Sequence, residues 1–365
     1  MRRAAGSFIL RFHAAPILAA WNHSAIPRGV GVAHFLTDIS NHGVFSRMLK
    51  VDCIVCGTCV ADILVRPVKL SEPPGAGRLF HVEPIDVAVG GIVCNSGTAL
   101  RRLGMRVAAS SLVGNDLWSS VVRSRLEAEG IDTTGIHTHP TLATSTTAVL
   151  IDPTGERSFA HHVGAPEGID LAFIRRESSH FASSRMALVG YFGLLPGLEP
   201  MLADSLAAIK QTGCQVAIET GGSGGSFAAL LPAMPHIDIY VPSIDEAIHQ
   251  TGFCDPRDMI ACYRSHGAAG IVGVKMGVRG SILSPEANVF VDIPCLLAPG
   301  PVVDTTGAGD SFLAGLIAGV LRTMPLREAG LLGAATAACC VTGRGATAGL
   351  RSFDDTQALA RAARS

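Results

Sequence analysis

The stretch Val303-Asp304-Thr305-Thr306-Gly307-Ala308-Gly309-Asp310-Ser311-Phe312 puts small residues and a carboxylate where an extended segment turns into a helix. Asp304 and the two threonines are poor helix residues. Phe312 through Leu321, FLAGLIAGVL, reads as a nearly unbroken apolar helix. Gly307, Ala308 and Gly309 therefore supply the first backbone N–H groups, which have no partner inside a helix. Those donors and the macrodipole suit an anion such as a phosphoryl group, and no side chain obstructs its approach. Asp310 stands beside them, placed to take a proton from a hydroxyl attacking the same phosphorus. A helix cap explains an aspartate alone, but the whole string is far more specific.

At 365 residues the chain is long enough for one large α/β domain with appendages. Charged residues are 16% and the formal net charge is −1, which excludes a strongly basic surface. Neither nucleic acid nor a membrane is expected as a partner, and the apolar run 312–321 is too short to span a bilayer. The ten cysteines are scattered, several of them in apolar runs, as in reduced thiols of a cytoplasmic protein. Cys53, Cys56 and Cys59 have metal-ligand spacing, yet VDCIVCGTCVADILV reads as a buried strand rather than a ligand loop. Structural cysteines are the expectation.

Residues 1–47 hold five arginines and one acid, Asp38. Their apolar patches are too broken for a secretory signal. Two readings stand, an organelle transit peptide and a mis-assigned start ahead of Met48, and the second is favoured. From about residue 50 strand and helix signals alternate, which predicts a mostly parallel sheet covered by helices. Strands are expected at Val51–Cys56, Arg106–Val113, Met186–Tyr191, Gln215–Glu219, Ile237–Val241 and Gly270–Lys275. Helices are expected at Asn95–Leu103, after a cap at Asn115 or Asp116, at Pro200–Lys210 and at Pro256–His266. Two excursions interrupt the alternation: the proline-rich residues 66–89, and 144–164, a hairpin turned by Asp152-Pro153-Thr154-Gly155.

The DTTGAGD string resembles the C-terminal signature of the ribokinase-like (PfkB) carbohydrate kinases, and the likeness extends over roughly residues 50–352. The resemblance implies a three-layer α/β/α sandwich with a small β lid made from the two excursions, spanning residues 48–365. It implies an ATP-dependent sugar kinase with Asp310 as base and Gly307, Ala308 and Gly309 as the anion hole. It also places the sugar on Asp62, Gly91 and Asn95, which supply the acceptor and mixed donor–acceptor groups that hydroxyls need. Arg157 and His162 in the lid hairpin are candidate substrate contacts, Arg157 for a carboxylate if the substrate is a sugar acid. The lid also allows a homodimer.

The nucleotide loop of such kinases resembles Val274–Gly280, with Lys275, Gly277 and Gly280 around the phosphates. Ser243 and Glu246 match an N-x-x-E motif in which serine replaces asparagine, with Glu246 reaching Mg²⁺ through water. Carbonyls near Asp304, Thr306 and Gly345 are where K⁺ is held if it is used. No G-x-x-x-x-G-K-[ST] string occurs, so this is not a P-loop kinase. A nucleoside kinase and a non-catalytic sensor on the same fold are the alternatives; the aromatic content of 5% weighs against the first and the intact GAGD against the second.

Overall fold

A computed structural model of the protein describes residues 51–71, 75, 77–222 and 224–363. The readings of residues 1–47, Met48, Pro73 and Pro74 lie outside these. Nine strands form the main sheet, in the order β13-β12-β11-β10-β9-β8-β1-β4-β5. They are β1 (Val51–Gly57), β4 (Val107–Val113), β5 (Asp132–Thr138), β8 (Ser184–Gly190), β9 (Gln215–Glu219), β10 (Ile239–Tyr240), β11 (Ile271–Lys275), β12 (Ser281–Ser284) and β13 (Val291–Ile293). The run from β11 to β5 is parallel throughout, and β12 and β13 close one edge antiparallel. The second sheet is β3-β2-β6-β7: β2 (Val60–Val65), β3 (Asp86–Gly90), β6 (Ser145–Ile151) and β7 (Arg157–His162).

β1 shows why three layers form. Its residues alternate between two cores, as a period of two dictates. Cys53 and Val55 join the core of the helices Gly91–Arg102, Ala308–Leu321 and Leu326–Cys340. Ile54 and Cys56 join the core of Leu202–Gln211 and Pro256–Ser265. Cys53 and Cys56 therefore sit on opposite faces of the sheet, and the C-x₂-C spacing does not converge on one point. The strand order reverses at β1, with β4 on one flank and β8 on the other. The crevice at the C-terminal ends of such strands is where open α/β sheets bind ligands.

Two expectations shift. Among the described residues the first helix begins at Gly91, four residues before Asn95; Ile92-Val93-Cys94 has strand propensity, but burial against the sheet overrides it. The segment after β1 is itself a strand, β2, paired antiparallel to β3 and parallel to β6. The second sheet thus starts at Val60, ahead of the proline-rich excursion. Asp116 does cap its helix, accepting from Ser119 N at 3.0 Å.

The helix Ala308–Leu321 is buried from Asp310 to Gly319. Its small residues let a neighbouring helix close in: a Cβ on Gly315 would lie 2.7 Å from Gly333 Cα and 2.8 Å from the Leu332 carbonyl. These are backbone atoms, so they cannot rotate away. Gly315→Val is expected to destabilise the protein by roughly 2–3 kcal/mol from overpacking, read as a lower midpoint in urea unfolding.

Candidate active site

The helix Ala308–Leu321 opens at the crevice. Gly307, its N-cap, has φ +74°, and a Cβ there would stand 2.4 Å from Ala346 Cβ. Both facts restrict the position to glycine. Ala308 N–H turns back to the Thr305 carbonyl at 3.3 Å, so the sequence's three-donor nest is not wholly open. Among the described residues the N–H groups of Gly309 and Asp310 have no acceptor. A Cβ on Gly309 would lie 3.4 Å from Lys275 Nζ. The ammonium thus faces the helix mouth, where an anion gains from both.

Asp310 is buried, only 6% exposed. Its Oδ2 accepts from Asn95 Nδ2 at 2.8 Å and from the Tyr191 hydroxyl at 2.6 Å. Burial pushes its carboxyl above the usual range, opposed by those two bonds and by the Lys275 charge. A raised pKa makes a stronger base. Asn95 Oδ1 is buried without a partner, an acceptor awaiting a donor.

Lys275, at the end of β11, bonds Glu219 Oε2 at 2.8 Å at the end of β9. Burial pushes Glu219 up to about 7 against the pull of Lys275, with Glu246 and Asp310 adding to the rise. Lys275 stays protonated, because the three carboxylates outweigh its own burial. Glu246 accepts from Thr220 Oγ1 at 2.6 Å and from Ser243 N and Oγ at 2.7 Å each. Ser243 is thereby spent on a capping box at the start of Ile244–Thr251. Gly277 and Gly280 form the turn between β11 and β12, where Met276 N–H donates to the Gly280 carbonyl at 2.8 Å.

The second sheet reaches the same mouth. Arg157 pairs with Asp304 Oδ1 at 2.6 Å and donates to Thr306 Oγ1. Asp304 also accepts from Thr306 N at 2.9 Å and from Gly345 N at 2.8 Å. Burial alone would raise this carboxyl, but Arg157 and the backbone donors hold it down at about 2. The three residues expected near a cation thus meet through one carboxylate. The cross-strand register aligns Asp62 with Thr147 and Thr147 with His161, and Thr147 Oγ1 lies 3.0 Å from His161 Nδ1. His161 therefore shares the face of Asp62, whereas His162, the residue favoured by sequence, aligns with Thr146 and points the other way. Asp62 lies over Gly90, where a Cβ would stand 2.3 Å from its Oδ2, while a Cβ on Gly91 would stand 2.5 Å from the Thr58 carbonyl.

Sequence reasoning did not single out Tyr191, Glu219 or Thr220, and of the two hairpin histidines it chose His162 over His161. The first three follow or end parallel strands, which is where such sheets carry their chemistry.

A sequence profile of the pfkB family carbohydrate kinases matches residues 51–352. The chain belongs to that family. It is an ATP-dependent kinase of the ribokinase-like fold. It is 27% identical to a ribokinase of Haemophilus influenzae over 83% of this chain and 96% of that one. Among solved structures, an Arabidopsis thaliana ribokinase complexed with ribose and ATP superposes with a TM-score of 0.74 at 21% identity, covering 85% of this chain and 99% of that one. A putative ribokinase II from E. coli in complex with ATP and Mg²⁺ gives 0.72 at 21% identity, covering 86% and 99%. Among the described residues no helix is long and apolar enough to cross a membrane.

Asp62 offers a measurement of site electrostatics. Burial raises its carboxyl to about 6, with the Thr147 hydrogen bond opposing. An unfolded aspartate titrates near 3.9, so the folded state holds the extra proton between about pH 4 and 6. Folding stability therefore falls as pH rises through that window. Asp62→Asn lacks the titration. Relative to the unsubstituted enzyme it is expected to gain on the order of 2 kcal/mol between pH 4 and 7, seen by denaturant unfolding across pH.

Proposed function

We propose that the enzyme transfers the γ-phosphoryl group of ATP to a hydroxyl of a neutral sugar, with Asp310 as general base. The observation that carries this reading is the buried Asp310 carboxylate beside the unpaired N–H groups of the helix mouth and the Lys275 ammonium. Asp310 takes the proton as the acceptor oxygen bonds to the γ-phosphorus and the bond to the leaving ADP oxygen breaks. The N–H groups of Gly309 and Asp310, with Lys275, balance the charge on the phosphoryl oxygens. Positioning and electrostatics supply most of the acceleration in phosphoryl transfer.

Asp62, Gly91 and Asn95 orient the sugar. The buried Oδ1 of Asn95 supports this, since a hydroxyl donor would satisfy it. The second sheet acts as a lid that excludes water. Arg157 is committed to Asp304, which removes the main argument for an acidic acceptor. His161 takes the place on the lid face that sequence assigned to His162.

Glu219, Glu246 and Asp310 outnumber Lys275, so the mouth carries surplus negative charge that suits a divalent ion arriving with the nucleotide. Mg²⁺ would be reached by Glu246 through water and would neutralise phosphate charge. The loops joined by Asp304, Thr306 and Gly345 are the place for K⁺, and comparing rates in K⁺ and Na⁺ tests it.

ATP consumption across neutral sugars, sugar acids and nucleosides decides the acceptor. Turnover of neutral sugars is expected; a preference for nucleosides or for sugar acids would replace this reading. Asp310→Asn is expected to cut turnover by roughly 10²-fold or more while the fold and ATP affinity persist, measured by steady-state kinetics and nucleotide titration. Near-normal turnover in that variant would exclude Asp310 as base.

A further inference from the structure

Tyr191 follows β8 and adopts φ 61°, ψ 40°. The left-handed region is uncommon for any residue but glycine, and persists where the surroundings over-determine it. Here they do. The ring packs over Gly221, where a Cβ would come within 2.7 Å of the tyrosine Cγ. The hydroxyl ends 2.6 Å from Asp310 Oδ2, the oxygen that Asn95 Nδ2 also reaches at 2.8 Å.

We infer that Tyr191 is a positioning residue for the base: its hydroxyl and the Asn95 amide together hold Oδ2, which leaves Oδ1 as the oxygen turned to the acceptor. The inference rests on the reading of Asp310 as that base. A carboxylate rotates broadly about its last torsion, and two donors converging on one oxygen remove that freedom. Orientation of a reacting group within a fraction of an ångström governs proton transfer. The phenol has a second effect, because a donor to the charged form favours ionisation against burial.

Other groups bear on the same carboxyl from every side. Lys275 faces it from the end of β11, Glu246 from the helix Ile244–Thr251, Glu219 from the end of β9 and Cys340 from the helix Leu326–Cys340. None of them is altered when the phenol oxygen alone is removed. Tyr191→Phe makes that change and keeps the ring against Gly221.

The test is a ¹³C NMR titration of the Asp310 carboxyl in the full-length enzyme without nucleotide or acceptor, with Asp310→Asn to assign the signal. In Tyr191→Phe the midpoint is expected to rise by about one pH unit, with the thermal midpoint within about 2 °C of the unsubstituted enzyme. Incorporation of 3-fluorotyrosine makes a stronger donor and is expected to lower the midpoint instead. The chain has three tyrosines, and the other two, Tyr240 and Tyr263, both bond Gln250. A midpoint that stays put in both proteins would overturn the inference, as would a Tyr191→Phe protein whose only change is a lower thermal midpoint. If Asp310→Asn loses turnover while the midpoint fails to move, Tyr191 alone is excluded. If Asp310→Asn turns over normally, the base itself is wrong.

Discussion

A helix buried along nearly its whole length still has to satisfy the N–H groups of its first turn. In Ala308–Leu321 the body is buried from Asp310 to Gly319, and the chain is exposed only at the first turn, at Gly309. Its small residues permit close packing against Leu326–Cys340, and that packing fixes where the mouth lies: at the C-terminal edge of the parallel strands. The open N–H groups of Gly309 and Asp310 follow from this constraint. Every other group in the crevice is arranged around them, from the ammonium at the end of β11 to the carboxylate in the helix's first turn.

The charges gathered there are unfavourable for the protein alone. Glu219, Glu246 and Asp310 crowd one lysine, and two of the three are pushed toward their protonated forms mainly by burial. Asp62 is held up in the same way. Carboxyls perturbed in this way cluster at functional sites. Asp304 shows the contrasting case. Arg157 and two backbone donors hold it ionised, and it serves as an anchor that ties β7 to the loop leading into the helix mouth.

Several features were legible because they are local. The string from Asp304 to Asp310 carries its own helix boundary, since glycine, alanine and the threonines fix where helical geometry can begin. Asp152-Pro153-Thr154-Gly155 carries its own turn, and β6 and β7 pair across it. Gln215–Glu219 matched as a strand to the residue, because its apolar run ends at a charge. The helix beginning at Gly91 was misjudged by a turn, since the burial that overrides its β-branched residues comes from distant elements.

The sequence by itself determined the alternation of strand and helix, the helix mouth and its aspartate, because these depend on neighbours within a few residues. Only the tertiary structure decided what that aspartate touches. Tyr191 and Asn95 stand 119 and 215 positions away along the chain, and no spacing rule links them to Asp310. The opposite facing of His161 and His162 belongs to the same class. Adjacent residues on a strand face opposite ways, so the register with β6, itself set by β2, determines which histidine shares a face with Asp62.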